Sequence, residues 1–183
     1  PIAIKVAKTS RIDPETFYRS YDILLRNNAT PRLLEKGETR DGRVYVATDF
    51  IEGHDLSRKL TDVNVVDGQS PSEARATFLE FLNDLIEKRI FLLDCKPQNF
   101  RFGKTFHDKA PRWYISDPET AIQDLEKTPA DVAKRYLSVL TTSPDFLHFW
   151  QGIDMRFLWE FLRAKSAGTA QLGGAGGAVS TGN

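Results

Sequence analysis

The chain has 183 residues, which suits one domain or one domain of two lobes, and its 40% hydrophobic and 27% charged residues suit a globular protein with a core. Twenty-five Lys and Arg balance twenty-five Asp and Glu with no basic block, so charge gives no support to nucleic-acid or membrane partners. No apolar run approaches the roughly 18 residues that span a bilayer, and the lone Cys95 excludes an intrachain disulfide and fits a reducing compartment.

The N-terminus, Pro1-Ile2-Ala3-Ile4-Lys5-Val6, lacks the basic start and small-residue cleavage site of a secretory signal. It also lacks an initiator Met, so a fragment, a processed form or a rearranged chain is expected. Residues 1–8 alternate apolar and polar around β-branched side chains, which predicts a strand. Asp13-Pro14-Glu15 predicts a helix start, with a capping Asp, Pro in the first turn and an acid behind it. Phe17, Tyr21, Leu24 and Leu25 then recur at helical spacing, and an end is expected near Asn27-Asn28, before Pro31. Residues 32–36 and 43–51 read as strands joined by a turn at Thr39-Arg40-Asp41-Gly42, and Glu52-Gly53-His54 should break the second.

Ser70-Pro71-Ser72-Glu73 is a capping box. The helix it opens carries Phe78, Leu82, Leu85 and Ile86 on one face and should end near the basic Lys88-Arg89. A short apolar run at 90–94 leads to a polar loop and two strand-like pieces, 99–102 and 112–116. Beyond Asp117 the signals are helical, with capped starts at Thr128-Pro129 and Ser143-Pro144. The last helix carries Phe146, Phe149, Trp150, Phe157, Leu158 and Phe161. The glycine-rich, uncharged residues 166–183 read most simply as a tail or linker. The expected fold class is α+β: a small antiparallel sheet lobe followed by a helical lobe.

Asp94, Lys96 and Asn99 stand at the spacing D-x-K-P-x-N. Asp117 closes the apolar run Trp113-Tyr114-Ile115-Ser116, and Lys5 sits in the first strand within Ala3-Ile4-Lys5. In this order, over roughly residues 1–120, the sequence resembles the protein-kinase superfamily. Phosphoryl transfer explains the residue types, because it is mainly positioning and charge neutralisation around a polyphosphate. The resemblance implies Asp94 as the acid that takes the acceptor proton and Lys96 as a contact to the γ-phosphate. It implies Lys5 on the α/β-phosphates of ATP, and Asn99 and Asp117 as oxygen ligands to Mg2+, a cation that prefers hard donors.

Residues 44–56 resemble the strand and hinge between the two kinase lobes. That resemblance makes Thr48 the gatekeeper, puts the backbone of Asp49 and Ile51 on the adenine edge, and brings Asp55 to the ribose. The implied division is 1–52 as the sheet lobe and 53–165 as a reduced helical lobe.

The chain departs from the family pattern in several places. Leu92 and Leu93 stand where His-Arg usually precedes the Asp, so no arginine is there to read a phosphorylated activation loop, and activity should not need one. Pro118-Glu119 follows Asp117 in place of Phe-Gly, which implies a stiff turn. Ser20 stands where the helix glutamate partner of Lys5 is expected, with Asp22 and Glu15 as the nearby acids. Only 66 residues follow Asp117. This brevity resembles the stripped-down type III effector kinases that bacteria inject into host cells, and among them the family that phosphorylates the host heat-shock chaperone. The implied location is cytoplasmic, by bacterial secretion into the host cell.

The glycine loop that should cover the phosphates is absent ahead of Lys5. Written before Pro1, the segment with Gly173, Gly174, Gly176 and Gly177 resembles that loop. A circular permutation is therefore expected, in which 166–183 completes the sheet lobe as a hairpin. The expected activity is ATP- and Mg2+-dependent transfer to a Ser/Thr hydroxyl of a protein substrate. Two alternatives stay open: a small-molecule phosphotransferase of the aminoglycoside or choline type, and a pseudokinase that binds without catalysis. His54, His107 and His148 show no metal-ligand spacing. Cys95 has no evident base, so a thiol nucleophile is not expected.

Overall fold

Two hydrophobic clusters of unequal size organise the chain, which the computed structural model describes over residues 1–8, 13–61, 68–118 and 121–168. The smaller belongs to a three-stranded antiparallel sheet, order β1-β3-β2, formed by β1 (Ile2–Val6), β2 (Leu33–Glu38) and β3 (Val44–Asp49). The helix α1 (Pro14–Arg26) packs on it through Phe17 and Tyr21, which meet Ala7, Val44 and Val46. The expected start of α1 is present, with the Asp13 carboxylate accepting from the Thr16 N–H at 2.8 Å. The β2–β3 turn is also where it was read. The Gly42 N–H donates to Thr39 O at 2.9 Å, and Gly42 has a φ of 76°, a conformation that side-chain-bearing residues resist.

Glu52-Gly53-His54 does interrupt β3 but is not a plain break. Residues Glu52–Asp55 form β4, which pairs with β6 (Phe100–Lys104), and β6 pairs with β7 (Arg112–Ile115). Gly53 lies opposite Gly103, and a Cβ on either would meet backbone at 2.0–2.2 Å. The two strands can approach this closely only because both positions are glycine.

The larger cluster lies among helices. After β4 come α2 (Leu56–Thr61) and α3 (Pro71–Glu87), whose capping box is complete and whose Phe78, Leu82, Leu85 and Ile86 are buried as the spacing predicted. Next follow β5 (Ile90–Leu92), a 3-10 turn (Pro97–Asn99), β8 (Ala121–Gln123), α4 (Pro129–Thr142), α5 (Pro144–Phe149) and α6 (Arg156–Ser166). Two expectations are corrected here. The stretch after Asp117 is not helical at once: Ala121–Gln123 pairs antiparallel with β5. The aromatic-rich final helix is two helices, separated by a turn in which Gly152 has a φ of 83°. The start at Thr128 is a full capping box with Asp131, whereas Ser143 makes no side-chain cap.

The fold class is thus α+β, with small antiparallel sheets and several helices. Among the described residues no helix is long and apolar enough to cross a membrane. The sheet lobe is fastened to the rest by a few specific bonds. Ile115 N–H donates to Ala29 O at 2.7 Å, the Thr30 hydroxyl to Ile115 O at 3.0 Å, and the Ser20 hydroxyl to Ala121 O at 3.1 Å.

Candidate active site

The loop that carries Asp94 is held from below by the helical core. The Tyr136 hydroxyl on α4 accepts from Leu92 N–H and donates to Ile90 O, both at 3.2 Å, and its ring packs edge-on against Phe91. One residue past α5, the Trp150 indole N–H donates to Cys95 O at 3.1 Å in a buried contact. Between these fixed points the loop turns its charged side chains toward each other. Lys96 Nζ lies 2.7 Å from Asp94 Oδ2. The Asn99 amide donates to the same oxygen and to Asp94 O, each at 3.0 Å. Lys96 Nζ also lies over the Phe149 ring, 5.1 Å from its centroid, a cation–π contact.

Pro97 opens the 3-10 turn that sets Asn99 where β6 begins. The β6–β7 ladder then extends past its last pair, because Ser116 N–H donates to Asn99 O at 2.9 Å. This bond brings Asp117 beside Asn99 although they are remote in sequence. Asp117 pairs with Lys5, which reaches it from β1. Its Oδ1 atom faces the Lys5 ammonium and is buried, while the side chain as a whole is about one-third exposed. The turn after Asp117 is closed by Ala121 N–H donating to Pro118 O at 3.1 Å; Glu119 lies outside the described residues.

Beside this ion pair a cleft of 280 Å³ opens between the sheet lobe and β6–β7. Lys5, Thr48, Asp49 and Ile51 line it, and Thr48 is the cross-strand neighbour of Ala3. Ser116 and Arg101 complete the wall on the far side. Asp94, Lys96, Asn99 and Asp117 do not line the cleft; they stand next to it, beyond Lys5 and Ser116. Asp55 does not line it either. Its carboxylate accepts from the Arg58 N–H at 3.1 Å and so caps α2. The Asp49 N–H is taken by Arg32 O at 3.1 Å, and its carboxylate meets Arg32 Nε at 3.2 Å.

Neither acid considered for Lys5 is its partner here. Glu15 pairs with Arg19 at 2.7 Å, and Asp22 is an exposed residue whose carbonyl accepts from Arg26. The expected hairpin over 166–183 is corrected at its start, where Ser166 ends α6 and Ala167 and Gly168 close its last turn with bonds to Arg163 O and Lys165 O; Gly173, Gly174, Gly176 and Gly177 lie outside the described residues. Burial pushes the Cys95 thiol well up from its ordinary value, with the neighbouring Asp94 adding to the shift. Among the described residues no group of three His, Cys, Asp or Glu side chains could hold a metal. An Asn–Asp pair of oxygen donors is a different kind of site, and one that suits magnesium, which keeps several of its waters.

Sequence reasoning missed Arg101, Ser116, Phe149 and Trp150. Arg101 had a signal: in β6 its neighbours Phe100 and Phe102 are buried in the core, so alternation turns Arg101 to the opposite face. The other three had none, because their roles depend on where β7 and α5 dock. Compared with models of known protein families the chain matches none, and it has no significant match to a curated protein.

Proposed function

We propose that the chain is an ATP- and magnesium-dependent kinase that transfers the γ-phosphate to a Ser/Thr hydroxyl of a protein substrate. The observation that carries this reading is the convergence of five side chains from distant segments. Lys5 meets Asp117 at one edge of the 280 Å³ cleft, while Asp94, Lys96 and Asn99 gather beside it.

Each residue has a chemical role in this account. The Asp94 carboxylate, oriented by Lys96 and Asn99, takes the proton of the acceptor hydroxyl. Lys96 starts 2.7 Å from that carboxylate and is placed to follow the charge on the transferred group. Lys5 exchanges Asp117 for the α/β-phosphates when the nucleotide enters. Bound magnesium would neutralise phosphate charge, and the Asn99 side-chain oxygen with the Asp117 carboxylate would hold it. Leu92 and Leu93 leave no arginine to read a phosphorylated loop, so activity is expected without prior phosphorylation. A bacterial effector acting on a host protein, with a chaperone as the candidate target, is the setting that the sequence resemblance implies.

Calorimetric titration tests the cleft assignment. ATP is expected to bind wild type at least tenfold more tightly with magnesium than without, and Asp117→Ala should abolish that difference. Equal affinity of wild type with and without magnesium would overturn the reading.

A further inference from the structure

An exposed aromatic ring stands beside the carboxylate read as the proton acceptor. Trp150 is buried, and its indole bond to Cys95 O fixes the end of α5 against the loop of Asp94. Phe149, the last residue of α5, is thereby set with its ring centre 5.1 Å from Lys96 Nζ, which itself lies 2.7 Å from Asp94 Oδ2. With that ammonium already over its ring, Phe149 is still 38% exposed. Directly before Asp94, Leu93 is 43% exposed, although Leu92 behind it is buried. Single exposed apolar side chains are ordinary on a protein surface. These two differ in place, since one adjoins Asp94 in the chain and the other reaches it through Lys96.

A Ser or Thr hydroxyl can give its proton to Asp94 only from hydrogen-bond reach, about 3 Å. The neighbours of that Ser or Thr in the substrate chain are then confined to the same patch of surface. An extended chain brings a side chain back to the same face every second residue, about 7 Å further on. The two contacts from Asp94 Oδ2 through Lys96 Nζ to the Phe149 ring cover a comparable distance. The charges there select against other residue types. A basic side chain would meet the Lys96 ammonium, and an acidic one would compete with Asp94 for it. We propose that Phe149 and Leu93 seat an apolar side chain of the protein substrate within two residues of the acceptor hydroxyl, so that they set substrate specificity; the inference rests on the kinase reading with Asp94 as base.

A positional-scanning library of peptides with a central Ser or Thr, labelled from γ-labelled ATP, tests this. Wild type is expected to favour Leu, Ile or Phe over Gly, Asp or Lys by about tenfold at one position within two residues of the acceptor, the gain expected from partial burial of such a side chain. Phe149→Ala should flatten that preference to about twofold or less. Because the preference is a ratio between peptides measured on one enzyme sample, a smaller folded fraction does not change it. Phe149→Leu should keep part of the preference, and it carries the test if the alanine variant does not fold. An equal fall on all peptides would confine the ring to holding Lys96 and overturn the proposal. So would an unchanged preference in Phe149→Ala, or a wild type indifferent to the flanking residues. In each of those cases wild type still labels peptides and the kinase reading stands. Failure of wild type to label any peptide or protein hydroxyl would overturn both.

Discussion

The two charged groups beside the cleft are built in opposite ways. Asp94, Lys96 and Asn99 come from one short loop and are oriented by local hydrogen bonds, with Tyr136 and Trp150 bracing the loop from the large helical core. Lys5 and Asp117 come from segments remote in sequence and meet only because the sheet lobe docks on β7 and β8. That lobe has a small buried cluster of its own: Ala7, Phe17, Tyr21, Val44 and Val46. The loop group should therefore survive as long as the helical core does, while the ion pair should be lost first when the sheet lobe loosens. A kinase needs both, so its activity would be limited by the weaker half.

Substitutions in each half can break this contrast. Phe17→Ala removes the largest fully buried apolar side chain of the sheet lobe and is expected to cost about 4 kcal/mol. Hydrogen exchange should then show protection lost in β1 and β3 while α3 and β5 keep theirs; uniform loss would show that the two halves melt as one unit. Leu82→Ala, in the large core, should cost about 3 kcal/mol and lower protection everywhere, because both groups depend on that core. Trp150→Phe keeps an aromatic ring but loses part of the buried indole and leaves the Cys95 carbonyl without its donor, at a cost of about 2 kcal/mol. Its kinetic signature should be a kcat lowered about tenfold with KM for ATP unchanged, since loop position and not cleft shape is disturbed.

The smallest effects belong to the caps. Ser70→Ala should cost about 1 kcal/mol in a thermal or urea melt and leave activity alone. Hydrogen bonds from the Ser70 and Thr128 hydroxyls hold the Glu73 and Asp131 carboxyls below their ordinary values. Carboxyls with lowered values stabilise the fold above their ordinary range, and that stability fades as pH falls through the lowered values. Urea midpoints should therefore decline on acidification below about pH 4.5, and less steeply in Ser70→Ala. An unchanged slope would argue against the capping account.

The loop group was legible in the sequence because its chemistry is contiguous: D-x-K-P-x-N carries acid, base and amide within one turn of chain. The helix starts at Asp13, Ser70 and Thr128 were legible for the same reason, since a cap and its first turn are neighbours. The partner of Lys5 was not. Choosing among Glu15, Asp22 and Asp117 requires knowing how α1 and β7 dock, and that follows from Ala29, Thr30 and Ser20 bonding to Ile115 and Ala121. The strand Ala121–Gln123 escaped notice because three residues carry no readable alternation, and it exists through its pairing with β5. The division between α5 and α6 was hidden by an aromatic run whose periodicity continues across the turn at Gly152.

The central claim is that Asp94 faces a transferable phosphate beside a cleft that holds magnesium and ATP. The most direct measurement is transfer of label from γ-labelled ATP to protein hydroxyls, comparing wild type with Asp94→Ala and Asp117→Ala at matched folding. The account predicts magnesium-dependent labelling by wild type and a loss of about a thousandfold on removing the Asp94 carboxylate, with a similar loss for Asp117→Ala. Equal labelling by wild type and both variants would contradict it.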